Sequence, residues 1–175
     1  MIASTFKAGV VLIVVLVFQV ELFSDMRFFG IMPELLLGAA IAGGWAGGPD
    51  RGAIVGFSAG MLYDLYLPTP LALSALSYML IGFAVGTISA GIAESGEKPL
   101  RRAVSFVALP VGITLFVVLG ELLGQDLYTD TFVKLIIIAT LYTALLLGPV
   151  HLGMRWAFGV NRRDARTPMR LEMVE

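Results

Sequence analysis

Long apolar runs, broken by short charged or helix-breaking turns, leave this chain few ways to fold. A helix of about 20 apolar residues, within a range of about 17–25, crosses a bilayer. Six stretches meet or approach that length: residues 6–23, 33–48, 52–67, 70–92, 103–123 and 131–158. The breaks between them have physical causes. Ser24-Asp25-Met26-Arg27 is a polar turn, and Gly47-Gly48-Pro49-Asp50-Arg51-Gly52 sets helix breakers beside two charges. Residues 94–102 form a charged loop and residues 124–130 an acidic one. In Pro68-Thr69-Pro70, Thr69 is placed to cap the next helix, with Pro70 at its first position. The expected architecture is all-α: a polytopic membrane protein with a six-helix transmembrane bundle over residues 1–160, and a mobile basic cytoplasmic tail over 161–175.

Composition supports the same class. Only 14% of the residues are charged against 58% hydrophobic, and the mean hydropathy is +0.89, whereas a soluble domain carries roughly 25% charge. This argues against a soluble enzyme, a disordered segment and a basic-patch nucleic-acid binder. With no cysteine, a disulfide framework, a thiolate metal site and a cysteine nucleophile are all excluded. The first apolar run follows a single basic residue, Lys7, and continues into Gln19-Val20-Glu21 without a small-residue cleavage site, so it reads as an uncleaved span.

The second and third stretches are short. Fused into one straight helix they would carry Asp50 and Arg51 to mid-bilayer, at about 2.5–3.5 kcal/mol each. A hairpin with its tip at one face avoids that cost. With the N-terminus inside, 12 Lys and Arg residues all fall on the inner side except Arg27 and Lys134. By the positive-inside rule both termini are cytoplasmic.

The most informative segment is Gly52-Ala-Ile-Val-Gly56-Phe-Ser-Ala-Gly60-Met-Leu-Tyr-Asp64. Residues four apart share a helix face, so Gly52, Gly56, Gly60 and Asp64 form one stripe, and Gly82 and Gly86 repeat the spacing on the following span. In lipid, small residues let helix backbones approach closely; the expectation is helix packing within the chain. Asp64, at the outer end of its helix, has three readings: acceptor for the free amides near Thr69 at the start of the next helix, partner of Arg27 or Lys134, or holder of a proton or cationic ligand. Glu34 follows Pro33 in the first turn of the second helix, where the dipole favours a negative charge. His151, the one histidine, makes no metal site without Cys or clustered acids; it reads as a hydrogen-bonded or interfacial residue. Trp45, Trp156, Tyr66 and Tyr128 fall near the expected interfaces. No catalytic triad, zinc motif or phosphate loop is present, so the residues point away from catalysis and from any metal or cofactor.

The ordered set Pro33-Glu-Leu-Leu-Leu, Gly48-Pro-Asp-Arg-Gly52 with the glycine ladder to Asp64, Pro70-Leu-Ala-Leu-Ser-Ala-Leu and Ile81-Gly-Phe resembles the rod shape-determining protein MreD family, over about a third of the chain in detail. In that family a Gly often stands two residues after the turn proline and a His or other polar residue further on; here Ala72 and Ser74 occupy those places, which stiffens the turn. The resemblance implies a non-catalytic component of the bacterial cell-elongation machinery that builds the peptidoglycan side wall. Its partners would be MreC, a single-span protein, together with MreB and the RodA–penicillin-binding-protein synthase. It also implies a fold similar to the substrate-capturing subunits of energy-coupling-factor transporters. No catalytic residues come with it. The first span, and the face of the fourth away from Gly82, are candidate partner surfaces. The alternative, a small-molecule-binding subunit of a membrane transporter, would have an outward pocket lined by Asp64, Tyr63 and Thr69. An intramembrane enzyme acting on lipid-linked precursors would need polar residues clustered at one depth, which Asp64 alone does not supply.

Overall fold

The computed structural model describes residues 2–22, 30–66, 70–92, 98–125 and 132–159. The protein is an all-α, polytopic membrane protein. Five helices are seen among the described residues: α1 (Ile2–Val17, extended by a π turn over Phe18–Leu22), α2 (Leu35–Asp64), α3 (Leu73–Ile92), α4 (Lys98–Leu122) and α5 (Phe132–Phe158). Four segments are long and apolar enough to cross a membrane: Ser4–Glu21, Leu73–Ile92, Pro99–Leu122 and Phe132–Phe158.

The expected count of six is therefore corrected to five. The second and third expected spans are the two legs of α2, which continues through residues 45–51 and is broken only at Gly48, where φ is 80° and ψ −171°. Positive φ suits glycine, and Pro49 then starts the second leg at a position where a missing N–H costs nothing. The chain doubles back there: Val55 lies against Gly43, and a Cβ placed on Gly52 would come 2.8 Å from the Cα of Gly44. Each leg is short, about 13 and 16 residues, or roughly 20 and 24 Å at 1.5 Å per residue. Neither spans an apolar layer of about 30 Å.

The first leg runs through the middle of the bundle. Leu36, Leu37 and residues 39–42 have no exposed surface, so the leg needs no polar face. The remaining helices wrap it. α1 turns Ala8, Leu12, Val15 and Gln19 inward and leaves Phe6, Val10, Ile13, Val14, Val17 and Phe18 outside, a one-sided helical pattern. On α4 and α5, Val107, Val111, Val118, Leu141, Leu145 and Leu152 likewise face outward. An apolar exterior is the expected one for a protein whose solvent is lipid.

The tightest packing in the molecule joins α2 to α3. A Cβ on Gly52 would overlap the carbonyl oxygen of Gly82, and a Cβ on Gly82 would overlap that of Gly52. At Gly56 the obstacle is the Tyr78 carbonyl, at Gly60 the backbone of Ser74 and Ala75, and at Gly86 the backbone of Gly48 and Pro49. Gly44, on the first leg, closes the same contact, since its Cβ would sit 2.6 Å from the Gly82 oxygen. Backbone meets backbone along the whole edge, so no side chain can swing aside to admit a larger residue.

Gly56→Leu should therefore lower stability by about 3 kcal/mol or more, at the upper end of overpacking costs. Gly91, with nothing within 4 Å of its Cβ position, should accept alanine with a change within about 0.5 kcal/mol. Thermal or denaturant unfolding in detergent micelles reads both.

Candidate functional site

The ladder delivers Asp64 to the start of α3. The Ser74 amide donates to Asp64 Oδ1 at 2.9 Å, and the Ala75 amide donates to Oδ2 at 3.1 Å. Both amides lie in the first turn of α3, where no intrahelical carbonyl is available and the helix dipole favours an anion. Asp64 is 2% exposed and uses both carboxylate oxygens in this contact. Of the residues singled out from sequence, Gly52, Gly56, Gly60, Gly82 and Gly86 come together with Asp64 as one continuous contact. Thr69 and Arg27 lie outside the described residues.

The helix start itself is corrected. α3 begins at Leu73 rather than at Pro70, because Ala72 takes φ 75° and closes a turn in which the Leu73 amide donates to the Pro70 carbonyl at 3.3 Å. A cap supplied from α2, ten residues away along the chain, satisfies the first turn.

A second polar group gathers at the same end of the bundle, around the buried start of α2. Glu34 stands one residue before the helix, not within its first turn, and its side chain makes no cap to its own helix. Two other side chains serve the free amides. Thr143 Oγ1 accepts from the Glu34 amide at 2.8 Å, and Gln19 Oε1 accepts from the Leu36 amide at 2.9 Å. The Glu34 carboxylate instead accepts the Tyr78 hydroxyl at 2.7 Å. Tyr78 in turn stacks on Tyr63, with ring centroids 6.4 Å apart, and Tyr63 precedes Asp64. The two acids are thus linked through a pair of stacked tyrosines. Gln19 Nε2, Ser74 Oγ and Thr140 Oγ1 are buried without a hydrogen-bond partner among the described residues.

Glu34 also borders a cleft of about 160 Å³ formed with Gly30, Ile31, Met32, Leu135 and Ala139. Asp64 and Tyr63, expected to line an outward pocket with Thr69, are both buried in the α2–α3 contact. Sequence inspection missed the Glu34–Tyr78 pair and the roles of Gln19 and Thr143; these contacts join residues far apart in the chain, without a shared periodicity. Gly44 lies on the other leg, and its approach to Gly82 follows from the doubling back at Gly48 rather than from helical spacing.

The opposite end of the bundle, around Gly48, is basic and aromatic. Lys7 Nζ lies 5.1 Å from the Trp156 ring centroid, and the guanidinium carbons of Arg51 and Arg101 lie 5.2 Å and 4.9 Å from those of Phe158 and Trp45. Arg101 also contacts the imidazole of His151, 3.4 Å from Nδ1 and closer to Nε2. The Trp45 indole donates to Ser105 Oγ at 2.8 Å, and that hydroxyl donates to the Arg101 carbonyl at 3.0 Å.

Asp64→Ala strands two buried amides and should cost about 2 kcal/mol. Asp64→Asn, which keeps one acceptor oxygen, should cost less. Ala72→Gly, relieving a left-handed alanine, should raise stability by about 1 kcal/mol. Unfolding midpoints of the three variants, measured in one detergent, give the order directly.

Comparison with protein-family models, with curated proteins and with solved structures returns no match to this chain.

Proposed function

We propose that this multi-pass membrane protein is a non-catalytic, MreD-type component of the bacterial cell-elongation machinery. In this reading it sits in the plasma membrane with both termini cytoplasmic and holds an MreC-like single-span protein. MreB and the RodA–penicillin-binding-protein synthase act in the same assembly. One observation carries the reading. The motifs that bear the resemblance form a single mechanical unit, a helical hairpin sealed against α3 by glycines and tied to it by Asp64. The most distinctive residues are thereby spent on internal support, and an apolar exterior on α1, α4 and α5 is left for a partner's transmembrane helix.

The test is co-purification of the tagged full chain with an MreC-like protein from mild detergent. The wild type and Gly91→Ala should retain the partner, whereas Gly56→Leu should lose it along with thermal stability. Failure of the wild type to retain the partner would overturn the assignment.

A second reading, a small-molecule-binding subunit of a transporter, is favoured by the cleft at Glu34. Its lining is mostly apolar with one carboxylate, the general character of a ligand pocket, although about 160 Å³ is small beside the roughly 300 Å³ at which such pockets begin. Mass spectrometry of solvent extracts from the purified protein separates the two, since a carrier subunit should release a small molecule near one equivalent.

A further inference from the structure

At the basic end of the bundle, three helices build one cationic cluster. Trp45 of α2 forms a plate held by its hydrogen bond to Ser105 of α4. Arg101 of α4 lies over that plate and against His151 of α5. Arg155 stands four residues after His151, on the same face of α5, and its charge is felt by both Arg101 and His151. Arg102, next in sequence, is exposed. Among the described residues Asp50, exposed at the hairpin turn, is the one acid at this end. Arg101 and Arg155 thus bring two positive charges to one place, and an anion there would be attracted to both.

The chemistry selects a phosphate. A guanidinium stacked on an aromatic face is pre-organised, and its planar fork of N–H donors matches phosphate oxygens. The surroundings favour a lipid as the source. Leu152 and Trp156, beside His151 and Arg155, are 65% and 58% exposed, and Phe106 and Val107 continue the apolar surface on α4. Acyl chains therefore have a surface directly beside the charges. Concentration of Lys and Arg at this end also marks the cytoplasmic face, where basic pockets between helices bind acidic headgroups.

We propose that Arg101, held between Trp45 and His151 and assisted by Arg155, binds the phosphate of an anionic membrane lipid. The site does not depend on the elongation role. Its failure leaves that role intact, and the reverse also holds.

Native mass spectrometry of the purified full chain, supplied with phosphatidylglycerol or phosphatidylcholine in detergent, tests it. The wild type should prefer phosphatidylglycerol by about tenfold or more, the effect of one charge-assisted hydrogen-bond set. Arg101→Gln should abolish the preference, and Arg101→Lys, which keeps the charge but not the fork, should weaken it. Arg51→Gln, at the same end but resting on Phe158, should leave it unchanged. If Arg101→Gln does not fold, Arg155→Gln takes its place, with a severalfold loss expected. Three results would overturn the proposal: a preference that survives in the folded Arg101 or Arg155 variants, an equal loss in Arg51→Gln (diffuse attraction), or displacement of the lipid by excess inorganic phosphate.

Discussion

Everything in this bundle depends on the distance at which α2 and α3 meet. Helices in lipid gain nothing from expelling water from between them, so they associate through packing and polar contacts. Here the contact is made at backbone level, with the carbonyls of Gly52, Gly82 and Tyr78 in positions that a Cβ would fill. Such an edge holds only if the two helices keep their register, and Asp64 sets it. Its two hydrogen bonds to Ser74 and Ala75 fix the start of α3 against the end of α2. The glycines set the distance and the carboxylate sets the register.

The hairpin in turn explains the placing of polar groups. A leg that starts inside the bundle exposes free amides to an apolar interior, where an unmet hydrogen bond is expensive. Gln19 from α1 and Thr143 from α5 meet that need, so the outer helices pack on the hairpin and also complete its hydrogen bonding. Glu34, released from capping its own helix, pairs with Tyr78 and faces a small cleft. At the other end the turn at Gly48 lies at the depth of the basic and aromatic side chains. Arg51 and Arg101 rest on rings there, an arrangement that keeps charge at the interface while covering apolar surface.

Much of this was legible in the residues, and the limits have physical causes. Apolar runs and their breaks revealed the membrane class and nearly every turn. Four-residue glycine spacing revealed the close-packed edge, because a helix converts that spacing into a line. The hairpin itself was legible, because a straight helix would have carried Asp50 and Arg51 to mid-bilayer; the count of six became five because helical geometry continues on both sides of Gly48, so that the two legs form one broken helix. The start of α3 was placed too early because Pro70 is a good first residue; Ala72 in a left-handed conformation delays the helix until Asp64 can serve its amides.

The sequence by itself determined what is local and periodic: lipid as the solvent, the bias of basic residues to one side, and a helix edge with room for a neighbour's backbone. Only the tertiary structure decided which carboxylate is spent on a helix start and which faces a cleft, and which arginine is clasped between an indole and an imidazole. Asp64 and Ser74 stand 10 positions apart, Glu34 and Tyr78 44, and Arg101 and His151 50. No repeat in the chain encodes such separations; they arise only when the hairpin has folded and the outer helices have closed around it.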